Sequence, residues 1–366
     1  MADTRVTLVT GFPNMRASHL VSHLLERGAG DVWVVVPTRE VPRVERFAAE
    51  LPVAGRARFR WFIGEPSAID MGLGGSEYRE LCRHVTTIQH LAQATGPTFG
   101  KEAYEEINVG GMREALELAT AAERLTALVA HSSVVVSGDR QGHVTEAELA
   151  SGQRFAGPGP ATLARAELMA RRRMDRLPIV VLRSGQVVGP STTGAVETLE
   201  GVYLLILLIL NSPQDLSALL PDWGEAPLHV VPVDHFVAAA DALGHHPTAR
   251  GLTLQLTDPA PMTVRLAFNR CMKIRERLAE EGLAVPPPST AFRRDGVLRD
   301  SLQSILWRPR TFINSTFRKV RYGTELCQRL LGEHGLACPP LESYFEQLVR
   351  HVAQAIAFSP AKEATR

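Results

Sequence analysis

The fold of this chain is decided by a stretch near its start, Val6–Gly28, which reads VTLVTGFPNMRASHLVSHLLERG. It opens with a short apolar run rich in β-branched residues, which is typical of a buried strand. It continues with apolar residues at helical spacing, as in Leu20, Leu24 and Leu25, which predicts an amphipathic helix. The stretch therefore predicts a strand, a tight turn and a helix.

The turn between this strand and this helix has the spacing Gly11-x-x-Asn14-x-x-Ala17. In doubly wound α/β proteins the same turn binds pyrophosphate, because glycines let the backbone approach the phosphates and the helix N-terminus supplies amide donors. Asn14 tolerates a left-handed backbone better than most residues, and Ala17 adds only a methyl group. Two interpretations stay open: a weakened phosphate cradle, or a tight turn that binds no nucleotide. Arg16 is unusual here, and reaches either a phosphate or solvent.

Beyond this turn, apolar runs alternate with helical segments along the first half of the chain. We count six strand-like runs before Gly189 and predict helices over Val41–Glu50, Tyr104–Leu125 and Thr162–Arg173, among others. Continuous apolar strands alternating with helices indicate a parallel sheet covered on both faces. The second half has two further strand-like runs, LHVVPV and GLTLQL, and is otherwise mostly helical. The expected class is α/β, doubly wound.

Bulk composition excludes several classes of protein. The 366 residues are 45% hydrophobic and 22% charged with a net charge of +1, so nothing suggests nucleic acid as a partner. The four cysteines are scattered without a C-x-x-C pair, which indicates neither a zinc site nor a disulfide framework. The apolar run Val202–Leu210 is too short to span a bilayer and predicts a buried helix. With no apparent leader sequence, a cytoplasmic location is expected.

Further segments carry a family resemblance, and they occur in the order that the family has. They are GEPSAIDMGL (64–73), HLAQA (90–94), INVGGMREALELA (107–119), SSVVVSG (132–138), LPIVVLRSGQVVGPSTTG (177–194), VVPVDHFV (230–237) and GLACPPLESYFEQLV (335–349). The chain resembles an extended short-chain dehydrogenase/reductase (SDR), closest to the fatty acyl-CoA reductase and thioester reductase branch.

This resemblance implies a Rossmann fold and two domains. Residues 1–190 would form the dinucleotide-binding domain, joined by a strand near 228–236, and residues 191–366 a smaller, mostly helical substrate or partner domain. NAD or NADP would be the cofactor. The residues placed near it are Gly11, Asn14 and Ala17 at the pyrophosphate, Glu65 at the adenine, Arg39 at an NADP 2′-phosphate or in solvent, Ala92 beside the cofactor, and Asn108 in the family's Asn position.

The resemblance breaks down where the family's chemistry lies. The family motif F-x-N-x-Y-x-x-S-K-x-x-A-E supplies a Tyr that exchanges a proton with the substrate and a Lys that lowers the pKa of that Tyr. The aligned stretch here is FAGPGPATLARAE, Phe155–Glu167, which puts Gly159 at the Tyr position and Leu163 at the Lys position. Ser133 keeps the Ser/Thr position. Neither glycine nor leucine can take part in proton transfer.

Other groups offer weaker candidates for chemistry or for binding. Histidine titrates near neutrality, so four histidines could act as replacement acids, although packed or surface roles are the simpler interpretation: His90, His131, His143 and His235. The basic segment 307–323 interleaves cations with aromatic residues. It is expected to be a solvated helix face. The alternatives are contact with an acidic protein partner, with an anionic membrane surface, or with the phosphates of a coenzyme A-like carrier.

Three hypotheses follow from the sequence. The first is a non-redox pseudoenzyme that binds a small-molecule or acyl ligand, or a partner. The second is an atypical NAD(P)H-dependent reductase or epimerase that uses Ser133 with a histidine or a water. The third is a non-redox cyclase or lyase. The sequence favours the first and indicates neither a metal site nor an oligomeric state.

Overall fold

The structure is a computed structural model that describes residues 5–95, 99–211, 223–283 and 318–357. Its strands, in chain order, are β1 (Val6–Thr10), β2 (Asp31–Val36), β3 (Phe59–Ile63), β4 (Thr87–His90), β5 (Ala127–Ser133), β6 (Gly142–Val144), β7 (Ile179–Ser184), β8 (Gln186–Val188), β9 (Val230–Pro232), β10 (Thr253–Leu256) and β11 (Val320–Tyr322).

The α-helices lie between these strands and after them. They are α1 (Met15–Arg27), α2 (Val41–Glu50), α3 (Val53–Arg56), α4 (Gly75–His84), α5 (Lys101–Tyr104), α6 (Gly111–Ala121), α7 (Pro158–Arg171), α8 (Val202–Asn211), α9 (Val233–His245), α10 (Val264–Glu280), α11 (Glu325–Gly332) and α12 (Leu341–Ala357). A π-helical turn, Glu105–Gly110, connects α5 to α6. No helix in the described ranges is long and apolar enough to cross a bilayer.

Seven of the strands form one parallel sheet in the order β3-β2-β1-β4-β5-β7-β10. The predicted doubly wound class is confirmed, and the six strands expected before Gly189 are all in this sheet. The strand order reverses between β1 and β4, and a ligand crevice forms at such a point, outside the carboxyl ends of the strands. The edge strand β10 comes from the second half of the chain. The strand β9 pairs with β8 in a separate two-stranded sheet.

Packing on both faces explains why the central strands are apolar throughout. Helices α1, α2, α9 and α11 bury one face of the sheet in a shared cluster. Helices α4, α6 and α7 cover the other face. A third cluster joins α8, α10 and α12. The run predicted as a buried helix is α8, and all of its residues but Leu204 are buried. A strand covered on both faces needs no polar alternation.

Two helices differ from the sequence-based prediction. The helix expected over Tyr104–Leu125 is broken into α5, the π-helical turn and α6. The helix expected from Thr162 begins four residues earlier, at Pro158, after Gly157 in an extended conformation. Proline fits there because the first amides of a helix have no partner within the helix. Pro158, Gly159 and Pro160 therefore form the first turn of α7.

A carboxylate joins α1 to α9. Asp241 on α9 accepts from His23 of α1 at 3.3 Å, pairs with Arg27 at 3.3 Å and contacts His245 Nδ1 at 3.1 Å. Burial raises the pKa of Asp241, but the hydrogen bonds from His23 and His245 outweigh it and leave that pKa well below its ordinary value. The hydrogen bond to Asp241 in turn raises the pKa of His245.

We expect Asp241→Asn to lower the free energy of unfolding by about 1–3 kcal/mol at pH 6. His245 has a higher pKa in the folded protein than in the unfolded chain. The stability that this provides is fully present below the pKa of the unfolded chain, and it is lost as the pH rises through the pKa of the folded protein. The difference in unfolding free energy between wild type and Asp241→Asn should therefore decrease between pH 6 and pH 9. Part of the difference should remain, because Arg27 stays charged and pairs with Asp241. Urea unfolding of both proteins at the two pH values measures this. A constant or growing difference would contradict it.

Candidate functional site

The turn after β1 brings the backbone of Gly11 against the end of β4. Gly11 has φ +86°, and a Cβ at this position would lie 2.6 Å from the carbonyl carbon and oxygen of Leu91 and 2.7 Å from the amide nitrogen of Ala92. Only glycine fits such a close approach in a left-handed conformation. This tight approach to the neighbouring strand is the role that the first glycine has in a dinucleotide-binding turn.

Asn14 acts as a cap and not as a glycine substitute. Its backbone is extended, with φ −66° and ψ 158°, so the left-handed conformation considered for it is not used. Its Oδ1 accepts from the Ala17 amide at 2.9 Å, and its Nδ2 donates to the Leu91 carbonyl at 3.4 Å. The amides of Met15 and Arg16 come next in the first turn and have no partner within the helix. They remain available to an anion, favoured by the helix dipole.

Ala17 is fully buried and packs in the cluster under α1. Its methyl group fills the contact between the first helix and the sheet, where the family's third glycine would stand. The substitution of glycine by alanine at this position therefore does not close the phosphate cradle.

The adenine side of the crevice has two of the predicted contact residues. Arg39 follows β2 and Glu65 follows β3, and the Arg39 Nη1 lies 3.5 Å from the Glu65 Oε2. Arg39 Nε is also 3.9 Å from the Glu40 carboxylate. Arg39 is 69% exposed, so a ligand can reach it. Its charge is shared between two carboxylates, which weakens the positive potential that an NADP 2′-phosphate would meet.

Asn108 lies in the π-helical turn and uses its amide on the chain itself. Its Oδ1 accepts from the Ala94 amide at 2.8 Å, and its Nδ2 donates to the Ala94 carbonyl at 3.1 Å and to Thr162 Oγ1 at 2.9 Å. The residue is 2% exposed. Asn108 therefore fixes the segment after β4, which includes Ala92, to the first turns of α7.

The wall opposite the phosphate loop is formed by the end of β5 and the start of α7. Ser133 ends β5, is partly buried, and accepts from the Val135 amide at 3.4 Å. Gly159 on α7 faces an aromatic ring, since a Cβ there would lie 3.0 Å from Tyr104 Cε1. Leu163, one turn further, packs against Val136 and Leu149. This wall is apolar where α7 lines it.

The buried histidines of the sheet are held neutral. His90 Nδ1 is 3.0 Å from Thr10 Oγ1, and burial lowers the pKa of His90 to about 4. His131 Nε2 is 2.7 Å from Gln89 Oε1, and burial, reinforced by Arg16 and His90, places its pKa well below the ordinary value. His235 is buried on α9, and burial lowers its pKa as well. His143 is exposed on β6. None of the three buried rings is protonated at pH 7.

A polar bridge that sequence reasoning missed crosses the crevice. Arg16 Nη2 donates to Gln93 Oε1 at 3.0 Å, and Gln93 Nε2 donates to the His131 carbonyl at 2.5 Å. The bridge connects the first turn of α1 to the segment after β4 and to the end of β5. The sequence does contain a sign of this bridge: in HLAQA, Gln93 occupies the position where the family motif H-x-A-A has its second alanine. Arg16 was flagged as unusual, but its partner was not.

Most of the basic segment 307–323 lies outside the described residues. Its last residues form β11, which pairs with β6. The Tyr322 hydroxyl donates to the Val134 carbonyl at 3.1 Å and lies 2.9 Å from Ser137 Oγ. This end of the segment therefore supports the turn that follows Ser133.

The two sides of the crevice carry different chemical groups. On the side of β1 to β3, the close approach at Gly11, the open amides of α1 and the exposed Arg39 suit an adenosine diphosphate group. On the side of β4 and β5, the Arg16–Gln93 bridge and the apolar start of α7 replace the polar groups that a nicotinamide riboside would use.

A family described as "Male sterility protein", an NAD-binding family, matches residues 9–240. Glycine betaine reductase ATRR of Emericella nidulans (strain FGSC A4) is 24% identical over 284 residues, which is 73% of this chain and 22% of that protein. The chain thus spans about a fifth of the length of this curated relative.

Solved structures of similar fold include reductase domains of biosynthetic assembly lines. The terminal R domain of the myxalamid PKS-NRPS pathway has a TM-score of 0.76 at 22% identity, over 97% of this chain and 92% of that one. The reductase domain of a nonribosomal peptide synthetase from Mycobacterium tuberculosis has 0.68 at 18%, over 96% and 92%. UDP-glucuronic acid 4-epimerase from Bacillus cereus, in complex with NAD, has 0.62 at 15%, over 98% and 99%. The chain therefore belongs to the male-sterility NAD-binding family of extended SDR proteins, with the fold of thioester reductase domains.

Proposed function

We propose that this protein is a thioester reductase-like SDR protein that binds a nucleotide or acyl ligand without transferring hydride. The observation that carries the proposal is the start of α7, where Gly159 faces Tyr104 and Leu163 packs against Val136 and Leu149. General acid–base catalysis by a positioned side chain contributes about 10²–10⁴-fold to a rate. With glycine and leucine at these two positions, neither the proton donor nor the ammonium that tunes it is present.

The histidines and the serine near this position do not replace the missing acid. His90 and His131 are buried and neutral at pH 7. Ser133, the remaining position of the family's catalytic set, is a weak acid on its own. These features support a binding role in which the cleft holds a ligand. A reducing cytoplasm suits the four cysteines, which are free thiols: Cys82, Cys271, Cys327 and Cys338.

One observation favours a second candidate, an atypical NAD(P)H-dependent reductase. The Tyr104 ring lies where a side chain of residue 159 would begin, with Cε1 3.0 Å and Cζ 3.6 Å from the Cβ position. Burial and the charge of Glu200 raise the pKa of Tyr104, so its phenol keeps its proton at neutral pH. In this candidate Tyr104 would replace the family's tyrosine from a different helix.

The test combines binding with turnover. The purified chain is titrated with ADP, NADH and NADPH by calorimetry, and then incubated with NADPH or NADH and either octanoyl-CoA or octanal while absorbance at 340 nm is followed. We expect nucleotide binding with no consumption of reduced cofactor above the protein-free control. Turnover would contradict the pseudoenzyme. If Tyr104→Phe abolishes that turnover while Tyr78→Phe, a remote control on α4, does not, the second candidate is supported.

A further inference from the structure

The Arg16–Gln93 bridge places a cation in a defined half of the crevice. Arg39 and Glu65 follow β2 and β3, on the side where a dinucleotide of this fold places its adenosine. Gln93 follows β4, and it donates to the last-but-two residue of β5, His131. The Arg16 guanidinium therefore lies between the phosphate loop and Ser133, on the side where the second nucleoside would lie.

Among the residues that the structure describes, no carboxylate compensates the charge of this guanidinium. Arg16 makes one side-chain hydrogen bond, to the neutral Gln93, and no ion pair to a carboxylate of the residues that the structure describes. Burial lowers the pKa of Arg16 to about 10, so the group is still protonated at pH 7. The adjacent rings of His90 and His131 are neutral. Partly buried charges in proteins are normally paired, and this one is left for a ligand.

We propose that Arg16 makes the second half of this cleft an anion site, so that the protein prefers nucleotides with a negative group there and disfavours a cationic one. This rests on the proposed binding function and names its ligand class. A γ-phosphate of ATP bound at the phosphate loop would meet the Arg16 guanidinium. Oxidised NAD⁺ brings a positively charged nicotinamide ring to the same place, whereas the ring of NADH is neutral.

Coulomb's law sets the size of the effect. At about 6 Å and an effective dielectric constant between that of a protein surface and that of water, two unit charges interact by enough to change affinity by about tenfold. We expect NADH to bind about tenfold more tightly than NAD⁺, and ATP about tenfold more tightly than ADP. Both preferences should weaken as salt rises from 0.05 to 0.5 M, by about the screening that those concentrations produce.

The test uses Arg16→Leu, which removes the charge, and Arg16→Lys, which keeps the charge. The full chain and both variants are titrated with ADP, ATP, NAD⁺ and NADH by calorimetry, with Arg46→Leu on α2 as a control for net charge. Thermal unfolding of each variant shows that it is folded. In Arg16→Leu both affinity ratios should fall to within about twofold of unity, while Arg16→Lys and Arg46→Leu keep them.

Two results would overturn the inference: the same ratios in wild type and Arg16→Leu, or no nucleotide binding by either protein. Neither result concerns turnover, so neither would contradict the proposal that the protein transfers no hydride. Consumption of NADPH with an acyl substrate would instead remove the pseudoenzyme without changing the measured ratios. The two proposals therefore fail separately.

Discussion

Replacing Glu167 by glutamine is expected to lower the free energy of unfolding by about 3–5 kcal/mol, because it leaves a buried guanidinium without its counter-charge. The side chains of Glu167 and Arg183 are 0% and 2% exposed, and Arg183 Nη2 lies 2.6 Å from Glu167 Oε1. Arg183 Nε is 3.0 Å from both carboxylate oxygens. Ser132 Oγ donates to the same carboxylate at 2.7 Å. The pair thus fixes α7 to β7 and to the end of β5.

Denaturant unfolding with a matched exposed pair makes this prediction specific. Glu117 lies 2.9 Å from Arg173, and their side chains are 51% and 41% exposed. Glu117→Gln should change stability by no more than about 1 kcal/mol. The double variant Glu167→Leu/Arg183→Leu should be less destabilised than Glu167→Gln, because the buried guanidinium is removed as well and only the partly exposed Arg171, 3.6 Å from Glu167, loses a charged partner. Equal effects at Glu167 and Glu117 would show that the buried pair does not hold α7.

Gly11→Ala is expected to destabilise the protein by about 2–5 kcal/mol and to weaken ADP binding at least about tenfold. About 1–2 kcal/mol comes from the left-handed conformation, and the rest from overpacking against backbone atoms that cannot move aside. The new methyl would sit 2.6 Å from the Leu91 carbonyl. To relieve that contact, the phosphate loop has to move away from β4, which widens the cradle.

A second glycine of the same conformation separates the two contributions. Gly28 ends α1 with φ +70°, and a Cβ there would meet nothing within 4 Å. Gly28→Ala should therefore cost about 1–2 kcal/mol and leave ADP binding unchanged. The comparison needs urea unfolding and calorimetry on both variants. If Gly11→Ala matched Gly28→Ala in both measurements, the close approach at Gly11 would not matter for the site.

Periodicity and apolar content were enough to predict the sheet. Strands such as β2 and β7 are continuous apolar runs, and α2 has the predicted bounds, Val41–Glu50. The start of α7 was predicted four residues too late, at Thr162, because proline and glycine disfavour a helix interior and the periodic apolar pattern begins only after them. The short strands β6 and β11 pair across more than 170 residues of sequence, and such short segments have no periodic signal.

The site was predictable only as far as the family pattern reaches. Gly11, Ser133, Gly159 and Leu163 could be located by alignment to motifs. The approach of Tyr104 to Gly159 could not be predicted in this way, because it depends on how the π-helical turn orients α5 relative to α7. Likewise, Arg16 and Gln93 are 77 residues apart, and their contact depends on the register between the loop after β1 and the end of β4.

The edge strand β10 comes from the second half of the chain but completes the sheet of the first half. It pairs with β7 through Thr253–Leu256, and α9 packs on the face of the sheet that α1 also covers. A fragment that stopped near residue 190 would expose the backbone N–H and C=O groups of β7 along an apolar border, which is a template for self-association. Such a fragment should therefore aggregate when expressed alone. The first 190 residues need β10 to cover the edge of β7.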